Sequence, residues 1–304
     1  MPSCLSGAFT NTGREIKIKM LRILNNSVKI SKYATGCVPQ VLRFASNGPS
    51  DLVLVKEQNG VREITLNHPK TLNSLSLDMM CALQDALLKD KDNVDLRCVV
   101  LTAQGKIWSA GHNLKELHND PKIQACVFQK LTDVINDIQR LPVPVLGKVN
   151  GYAAAAGCQL VVSCDMVVCT KNSKFSTPGA GVGVFCSTPG VAVARIMSRP
   201  KSAYMLMTGL PVTGEEAYIS GMVTKAVPAE ELDNEIEEIT NAIKAKSRAV
   251  ISLGKEFYYK QLAMSQAEAF TAAQEKMCEN FQLGDTKEGI ASFFEKRPPN
   301  WKHN

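Results

Sequence analysis

The stretch Gly151 to Asp165 reads GYAAAAGCQLVVSCD and links an apolar, strand-like segment, Val145 to Val149, to a helix-like segment, Cys158 to Cys164. Four consecutive alanines would let a ligand approach the backbone closely, and the first turn of a helix presents free N–H groups to an oxygen that gains negative charge. Alanine is also the best helix former. The stretch alone therefore predicts either a backbone anion site or a tightly packed helix start.

A second stretch of the same kind comes earlier in the chain. KIWSAGHNLKE, at Lys106 to Glu116, follows the apolar segment Cys98 to Thr102 and again places glycine and small residues after a predicted strand. Together with HPKTLNSLS at 68–76, these motifs resemble the crotonase (enoyl-CoA hydratase/isomerase) superfamily, in a match that runs from about Leu52 to Lys302. The resemblance implies an α/β fold, namely a crotonase-type spiral of repeated β-β-α units with a C-terminal helical trimerisation region.

The resemblance also implies roles for individual residues. The backbone N–H groups of His112 and Ala156 would jointly bind a thioester oxygen, and two such donors are worth about 2.7 to 4 kcal/mol each. Hydration further needs two glutamates, one as base and one as acid, and these positions hold Gln159 and, in FSTPGAGVGVF, Gly179. Each proton-transfer partner contributes on the order of 100-fold to 10,000-fold. The sequence thus predicts an intact backbone oxyanion hole with hydratase activity that is weak, altered or absent.

Three side chains are candidates to replace the missing carboxylates. They are the His112 imidazole, which would titrate near neutrality, the Cys186 thiol and the Ser187 hydroxyl. The sequence shows no evident partner that would orient the imidazole, and a histidine in a loop more often packs or faces solvent. Asp165 at the helix end is expected to form structural hydrogen bonds.

By the same resemblance, the ligand is a coenzyme A thioester, taken as substrate or ligand, and no cofactor is bound permanently. The residues expected to bind it are His112, Asn113, Leu114, Lys115, Lys70, Lys106 and Lys296. The lysines would face the phosphates of coenzyme A, and each has the alternative interpretation of a solvated side chain. Trp108 and Phe185 could line an acyl pocket or belong to the core.

The net charge of +6 is concentrated at the N-terminus. Of 35 Lys and Arg and 29 Asp and Glu, residues 1–50 hold seven bases and one acid, Glu15, so the remainder is balanced. A basic, Ser-containing start with few acids is typical of a mitochondrial transit peptide, and RFAS at Arg43 to Ser46 resembles a matrix cleavage site. We therefore predict a transit peptide over 1–46 and a location in the mitochondrial matrix. Met20 could be a second start, and a basic tail is the alternative interpretation.

Composition argues against several other classes of protein. The ten cysteines are scattered without C-x-x-C pairs, and no histidine lies at metal-ligand spacing. Buried thiols explain them better than a disulfide framework, and no metal site is predicted. No apolar run approaches the roughly 20 residues of a membrane span. The balanced remainder offers no net basic field for nucleic acid.

The alternation of strands and helices predicts an α/β class on its own terms. Asn59-Gly60 joins two predicted strands, Leu52 to Lys56 and Val61 to Leu66, and Ser76 can cap the next helix. Further strands are predicted at 98–102, 145–149, 166–169 and 223–227, and C-terminal helices at 231–245, 249–260 and 265–281. The predicted domains are a spiral core at 51–229 and a helical region at 230–304, which by resemblance builds a homotrimer or hexamer.

Two functional hypotheses share this fold and ligand. In the first, the chain is a mitochondrial acyl-CoA or enoyl-CoA-binding member of the family in fatty-acid metabolism, with weak or altered chemistry. In the second, it is a non-catalytic acyl-CoA binder or a regulatory subunit of lipid metabolism. RNA binding through a lysine-rich helix is not favoured, because the predicted helix at 77–91 has few lysines.

Overall fold

The computed structural model of the protein describes residues 52–118 and 120–304. The predicted transit peptide, with its RFAS motif, lies outside the described residues. Everything described belongs to one unit of the chain, Asn47–Asn304.

The Asn59-Gly60 turn joins two antiparallel strands, as the sequence predicts. Strand β1 covers Val53–Gln58 and β2 covers Val61–Leu66, so β1 begins one residue later and ends two residues later than expected. Asn59 and Gly60 have positive φ angles of 51° and 78°. Such a turn matches the twist of paired strands, and pairing therefore reaches the turn itself.

A six-stranded sheet has the order β1-β2-β3-β5-β7-β10, and every pair after the hairpin is parallel. Its other strands are β3 Cys98–Ala103, β5 Val145–Val149, β7 Met166–Thr170 and β10 Lys225–Val227. The predicted start of the last strand at Val223 is wrong. The N–H groups of Met222 and Val223 both donate back to the Ala217 carbonyl, so pairing begins only afterwards.

A second, four-stranded sheet has the order β4-β6-β8-β9. Its strands are β4 Ile107–Ser109, β6 Tyr152–Ala154, β8 Lys174–Ser176 and β9 Val212–Thr213. Three successive repeats each give their first strand to the larger sheet and their second strand to the smaller one before a helix follows. This confirms the predicted spiral of β-β-α units. It also brings the ends of β4 and β6 side by side.

The helices of the spiral follow its strands, and one of them is wholly buried. They are α1 Leu77–Leu88, α2 Pro121–Arg140, α3 Ala156–Val162, α4 Ser187–Ile196, α5 Arg199–Thr208 and α6 Gly214–Ile219. Ser76 caps α1 by accepting a hydrogen bond from the Met79 N–H, as predicted. Every residue of α3 is buried, and this helix begins two residues earlier than expected, inside the alanine run.

The C-terminal region is helical. It consists of α7 Leu232–Lys244, α8 Arg248–Gln261, α9 Gln266–Asn280 and α10 Gly284–Glu295. The first three helices match the predictions to within one residue at either end. Helix α10 lies within the predicted helical region at 230–304 but was not predicted as a separate helix, because its stretch contains Gly284 and Gly289 and no side chain caps its start. Across the described ranges, no helix is both long and apolar enough to cross a membrane.

Candidate functional site

The candidate site forms where the 68–76 segment folds over the end of β4. The Ala110 N–H donates to the Leu72 carbonyl at 3.0 Å, and the Leu75 N–H donates to the Gly111 carbonyl at 2.8 Å. Two of the motifs that carry the resemblance are therefore one unit in space.

Asn73 organises this unit, a role that the sequence analysis missed. Its buried side chain donates through Nδ2 to the carbonyls of Gln104 at 2.8 Å and Ile107 at 2.9 Å, and it accepts from the His68 N–H at 2.8 Å. The residue has a positive φ of 50°. Asparagine tolerates this backbone conformation better than most residues, which is the only local signal of the role.

Gly111 lets two backbone N–H groups approach each other. Its φ is 92°, and a Cβ atom at this position would lie only 3.0 Å from the Ala156 nitrogen. His112, the next residue, therefore lies beside the first turn of α3. Within the described residues, neither the His112 N–H nor the Ala156 N–H donates to a backbone acceptor. Two unused donors close together can hold an oxygen atom that carries negative charge.

The turn before α3 is strained and is held from both sides. Ala155 has φ 48° and ψ −119°, a conformation that residues with a side chain rarely adopt. Its N–H donates to the Ser176 carbonyl at 2.9 Å, and the Tyr152 hydroxyl lies 2.5 Å from Ser176 Oγ. On the other side, Gly157 admits Ser109, because a Cβ on Gly157 would lie 2.6 Å from Ser109 Cβ. The surrounding strands therefore fix the turn before any ligand binds.

Gln159 lies one turn into α3, at the first position where the resemblance implies a glutamate. The residue is 7% exposed, and its Oε1 has no hydrogen-bond partner among the described residues. Side chains of a helix generally lean toward its N-terminus, which for Gln159 is the side of the turn at Ala155 and Ala156. A neutral amide can hydrogen-bond to a ligand there, but it does not exchange protons as a carboxylate does.

Gly179, the second such position, lies in a short 3-10 turn, Pro178–Val182, after β8. Its N–H donates to Cys186 Sγ at 3.3 Å, and its carbonyl accepts from the Val184 N–H at 2.9 Å. A Cβ atom at this position would lie 2.2 Å from the Val184 oxygen. Any side chain at this position would therefore force the backbone of the loop to move.

The His112 ring is held by two neighbours. Its Nδ1 lies 3.4 Å from the Leu75 carbonyl oxygen, and the ring meets Phe128 edge-on with centroids 5.3 Å apart. Burial lowers the pKa of the imidazole, while the Leu75 carbonyl acts in the opposite direction. Since a carbonyl oxygen only accepts, Nδ1 donates this hydrogen bond, and the buried Nε2 has no hydrogen-bond partner in the described chain. The structure supplies the orienting partner that the sequence did not reveal.

Packing accounts for most of the other side chains considered. Burial raises the pKa of the Cys186 thiol, which disfavours the nucleophilic thiolate. Ser187 begins α4 with its hydroxyl 3.5 Å from the Phe185 carbonyl. Trp108 is 1% exposed and donates to the Lys148 carbonyl at 3.0 Å, so it belongs to the core. Phe185 is 51% exposed and is still a candidate for an acyl pocket.

The lysines expected to contact coenzyme A divide into two groups. Lys70 and Lys106 are both exposed. Their loops are neighbours, because a Cβ on Gly105 would lie 3.1 Å from Pro69 Cβ. Lys296 is exposed at the end of α10, a helix that packs on α8. The structure therefore brings Lys70 and Lys106 to the edge of the candidate site and places Lys296 on a different element.

The turn after His112 carries the remaining predicted contacts. Lys115 and Leu114 are exposed, and the Asn113 side chain accepts from the Lys115 N–H at 3.2 Å. Glu116 accepts from the Leu77 N–H at 3.0 Å and from Asn113 Nδ2 at 3.2 Å. Burial raises the pKa of the Glu116 carboxyl, although both hydrogen bonds act in the opposite direction. Glu116 thereby fastens this turn to the start of α1.

Asp165 forms structural hydrogen bonds, as the sequence predicts. Its carboxylate accepts from the Val145 N–H, the Lys255 ammonium and the Tyr259 hydroxyl, each at 2.6 Å. Lys255 also donates to two backbone carbonyls, at 2.8 and 2.9 Å. Burial lowers the pKa of Lys255, and the Asp165 charge opposes that shift. The sequence analysis missed this lysine, which looks like any other charged residue of an amphipathic helix.

The described cysteines are free thiols. Those that are buried are Cys98, Cys158, Cys164, Cys169 and Cys186. Burial raises the pKa of Cys98 to about 11 and that of Cys158 to about 12. Cys81 is exposed on α1, contrary to its expected burial, because the buried face of that helix carries Met80 and Leu83. No cluster of three or more His, Cys, Asp or Glu side chains in the part described here is arranged to hold a metal ion.

Residues 56–304 match the family model described as enoyl-CoA hydratase/isomerase. The chain belongs to this family. Human enoyl-CoA hydratase domain-containing protein 3, named as mitochondrial, is 45% identical over 250 residues, which cover 82% of each chain. The Xenopus laevis protein of the same name is 42% identical over 255 residues and covers 83% of this chain and 87% of its own.

Solved structures of the family agree with this assignment. The crystal structure of the human domain-containing protein 3 has a TM-score of 0.81 at 44% identity and covers 82% of this chain and 100% of its own. An enoyl-CoA hydratase from Mycobacterium smegmatis has a TM-score of 0.80 at 40% identity, covering 83% and 99% respectively. Members of the family thus share the spiral fold described above.

Proposed function

We propose that this protein is a mitochondrial member of the enoyl-CoA hydratase family that binds acyl-CoA or enoyl-CoA thioesters in fatty-acid metabolism. The backbone N–H groups of His112 and Ala156 form its oxyanion hole, and hydration is weak, altered or absent. The observation that carries the proposal is the glycine at position 111. It brings the first of these donors beside the Ala156 nitrogen, and neither N–H has a backbone acceptor in the described chain.

Thioester binding in this proposal depends on backbone N–H groups, whereas hydration of the enoyl double bond depends on side chains. Backbone donors do not depend on side-chain identity, and removing one such donor costs about 2.7 to 4 kcal/mol of transition-state stabilisation in comparable sites. Proton transfer depends on side chains, and the two positions in question hold Gln159 and Gly179. The oxyanion hole can therefore polarise a thioester carbonyl, while no carboxylate at these positions moves a proton.

The coenzyme A part of the ligand would lie along the edge of the site, where exposed lysines can contact its phosphates. Lys70 and Lys106 lie on touching loops, and Lys115 lies in the turn directly after the first donor. A lysine ammonium is a compact point charge on a flexible stem, so an exposed lysine can reach a phosphate. Lys296 would contact the ligand from α10 of the same chain or of a neighbour.

Calorimetric titration of the full chain with butyryl-CoA tests the binding half of the proposal, and loss of enoyl-thioester absorbance with crotonyl-CoA tests the hydration half. We expect binding together with hydration far slower than that of a family member that has both glutamates. Gly111→Ala should weaken binding at least about tenfold, because the added methyl meets the Ala156 nitrogen.

Gly221→Ala is the matched control. Gly221 also has a positive φ, of 78°, but a Cβ there makes an ordinary contact at 3.5 Å from the Ile196 carbonyl, away from the site. This variant bears the same backbone strain and should bind butyryl-CoA as the unchanged chain does. Failure of the unchanged chain to bind would reject the oxyanion hole, and rapid hydration would show that another acid and base operate.

A non-catalytic acyl-CoA binder or regulatory subunit is the second candidate. The loop around Gly179 favours it, because the backbone of that loop would have to move to accept any side chain at this position. The crotonyl-CoA measurement separates the two candidates, since binding without detectable turnover supports the second.

We also propose a matrix location and a trimeric or hexameric assembly. The basic residues 1–46 and the mitochondrial names of the similar proteins support the location. Large apolar side chains exposed on α9 and α10 support the assembly. They are Phe270 at 66%, Met277 at 57%, Phe293 at 78% and Phe294 at 77% exposure.

A further inference from the structure

Ser109, the last residue of β4, contacts the backbone on both sides of the proposed oxyanion hole. The residue is 0% exposed. Its hydroxyl accepts a hydrogen bond from the Gly111 N–H at 3.2 Å and donates one to the Asn73 carbonyl at 2.8 Å. A Cβ atom on Gly157 would lie 2.6 Å from Ser109 Cβ and 2.8 Å from its Oγ. Gly111 directly precedes one proposed donor and Gly157 directly follows the other, so one side chain contacts both donor-carrying segments.

The hydrogen bond from Gly111 to Ser109 holds the peptide in front of the first donor. The next peptide joins the Gly111 carbonyl to the His112 N–H, and this carbonyl accepts from the Leu75 N–H at 2.8 Å. The N–H and C=O of a trans peptide point in opposite directions, so the His112 N–H points away from the Leu75 N–H. Two consecutive peptides are thus held on either side of the Gly111 Cα, and together they determine where the first donor points.

Strand pairing gives the two donors only a short common frame. Strands β4 and β6 form two residue pairs, and the register shifts between them. Beyond the second pair, the Ala110 N–H and the Gly111 carbonyl are bonded to the 68–76 segment instead. The contact of Ser109 with Gly157 therefore supplies a link between the first donor segment and α3 at the point where the strands separate.

We infer that Ser109 is a positioning residue whose hydroxyl fixes the His112 N–H relative to the Ala156 N–H. Loss of the hydroxyl should reduce the polarisation of a bound thioester carbonyl, because such donors act only when they are held within about 0.5 Å of the productive geometry. The affinity for the thioester should change little, since the coenzyme A part of the ligand is bound outside the hole. This inference rests on the proposed function.

Titration of the full chain with 4-dimethylaminocinnamoyl-CoA tests the inference. The absorbance band of this conjugated thioester moves to longer wavelength when its carbonyl oxygen accepts hydrogen bonds, and calorimetry gives the dissociation constant of the same complex. We expect Ser109→Ala to lose at least about half of this red shift at saturation and to change the dissociation constant by less than about threefold.

Two further variants test the same contact without removing all of it. Ser109→Cys keeps a weak hydrogen-bonding group beside the Gly111 N–H, so its red shift should lie between those of the unchanged chain and of Ser109→Ala. Gly157→Ala presses on Ser109 from α3 and should also reduce the red shift. These two variants decide the question if Ser109→Ala does not fold.

Ser173→Ala is the matched control. Ser173 is also 0% exposed, and its hydroxyl accepts from the Gly151 N–H at 3.2 Å and donates to the Val149 carbonyl at 3.1 Å. The two alanine variants lose the same kinds of hydrogen bond, so their Tm should fall by similar amounts. Ser173→Ala should nevertheless keep the full red shift, because Gly151 precedes β6 whereas the turn with the second donor follows it.

The outcomes separate the inference from the proposed function. A full red shift in Ser109→Ala or in Gly157→Ala overturns the inference and leaves the oxyanion hole standing. An equal loss of red shift in Ser173→Ala also overturns it, because the loss then reflects general loosening of the fold. If the unchanged chain binds the thioester without a red shift, the proposed oxyanion hole fails and the inference fails with it.

Discussion

Lys255, on helix α8 of the C-terminal region, forms a buried ion pair with Asp165 of the spiral core. Its ammonium lies 2.6 Å from Asp165, and the two side chains are 7% and 13% exposed. Lys255→Met would leave the Asp165 carboxylate with only the Val145 N–H and the Tyr259 hydroxyl as donors. Breaking such a buried pair costs about 3 kcal/mol, which should lower the Tm by several degrees.

The control for this prediction lies on the same helix. Lys260 is exposed, so Lys260→Met should change stability by no more than about 0.5 kcal/mol. Adding Asp165→Asn to Lys255→Met should recover part of the lost stability, because the uncompensated charge is removed. An unchanged Tm for Lys255→Met would show that the ion pair contributes nothing to the attachment of α8.

At the residue scale, the sequence allows a prediction where a proposed role lies within one motif. Gln159, Gly179 and the two backbone donors of the proposed site were predicted from the segments that contain them. Asn73 and Lys255 were not, because their roles depend on partners 31 and 90 residues away in the chain. The partners of the His112 ring could not be predicted from the sequence either, because Leu75 and Phe128 contact the ring only in the folded chain.

At the scale of elements, the loop from Pro178 to Cys186 requires glycine at position 179. A Cβ at Gly179 would lie 2.2 Å from the Val184 oxygen, so Gly179→Ala forces the backbone to move. We expect it to destabilise the protein by about 1 to 3 kcal/mol, the usual cost of overpacking. Thermal unfolding followed by circular dichroism measures the difference.

Gly181→Ala is the matched control, because a Cβ at Gly181 meets nothing within 4 Å and the residue lies in the same 3-10 turn. The same clash predicts that Gln159→Glu combined with Gly179→Glu does not reach the hydration rate of an ordinary hydratase. Equal stability of the two alanine variants, or rapid hydration by the double variant, would contradict the steric account of this loop.

The strands of the larger sheet could be predicted because their apolar runs are long enough to stand out. Strands β4, β6, β8 and β9 have only two or three residues and were not predicted as separate elements. Their existence depends on pairing with one another rather than on local pattern. The alanine run illustrates this, since it contributes to β6, to the strained turn and to the start of α3.

At the scale of the whole molecule, import and assembly can be tested in one experiment. We expect the full chain, produced in cultured animal cells, to be recovered from the mitochondrial matrix without roughly its first 46 residues, since the basic, acid-poor start is typical of a transit peptide. We expect its sedimentation to correspond to three or six chains, because association would cover the apolar side chains of α9 and α10. Mass spectrometry and analytical ultracentrifugation provide the two measurements.

A chain that begins at residue 47 is the control and should stay in the cytosol. Cytosolic recovery of the full-length chain would contradict the targeting prediction. Sedimentation as a monomer would contradict the assembly prediction, whatever the location.

The close fit of the loop around Gly179 has an evolutionary consequence. A single codon change that introduces glutamate at this position meets the Val184 carbonyl, so selection on stability acts against it before any catalytic benefit can arise. The backbone of this loop must therefore move before a carboxylate can stand at position 179. The N–H groups of His112 and Ala156 differ in this respect, because no side-chain replacement other than proline removes an N–H group. Variants of this chain can therefore change their side-chain chemistry widely and keep both N–H groups.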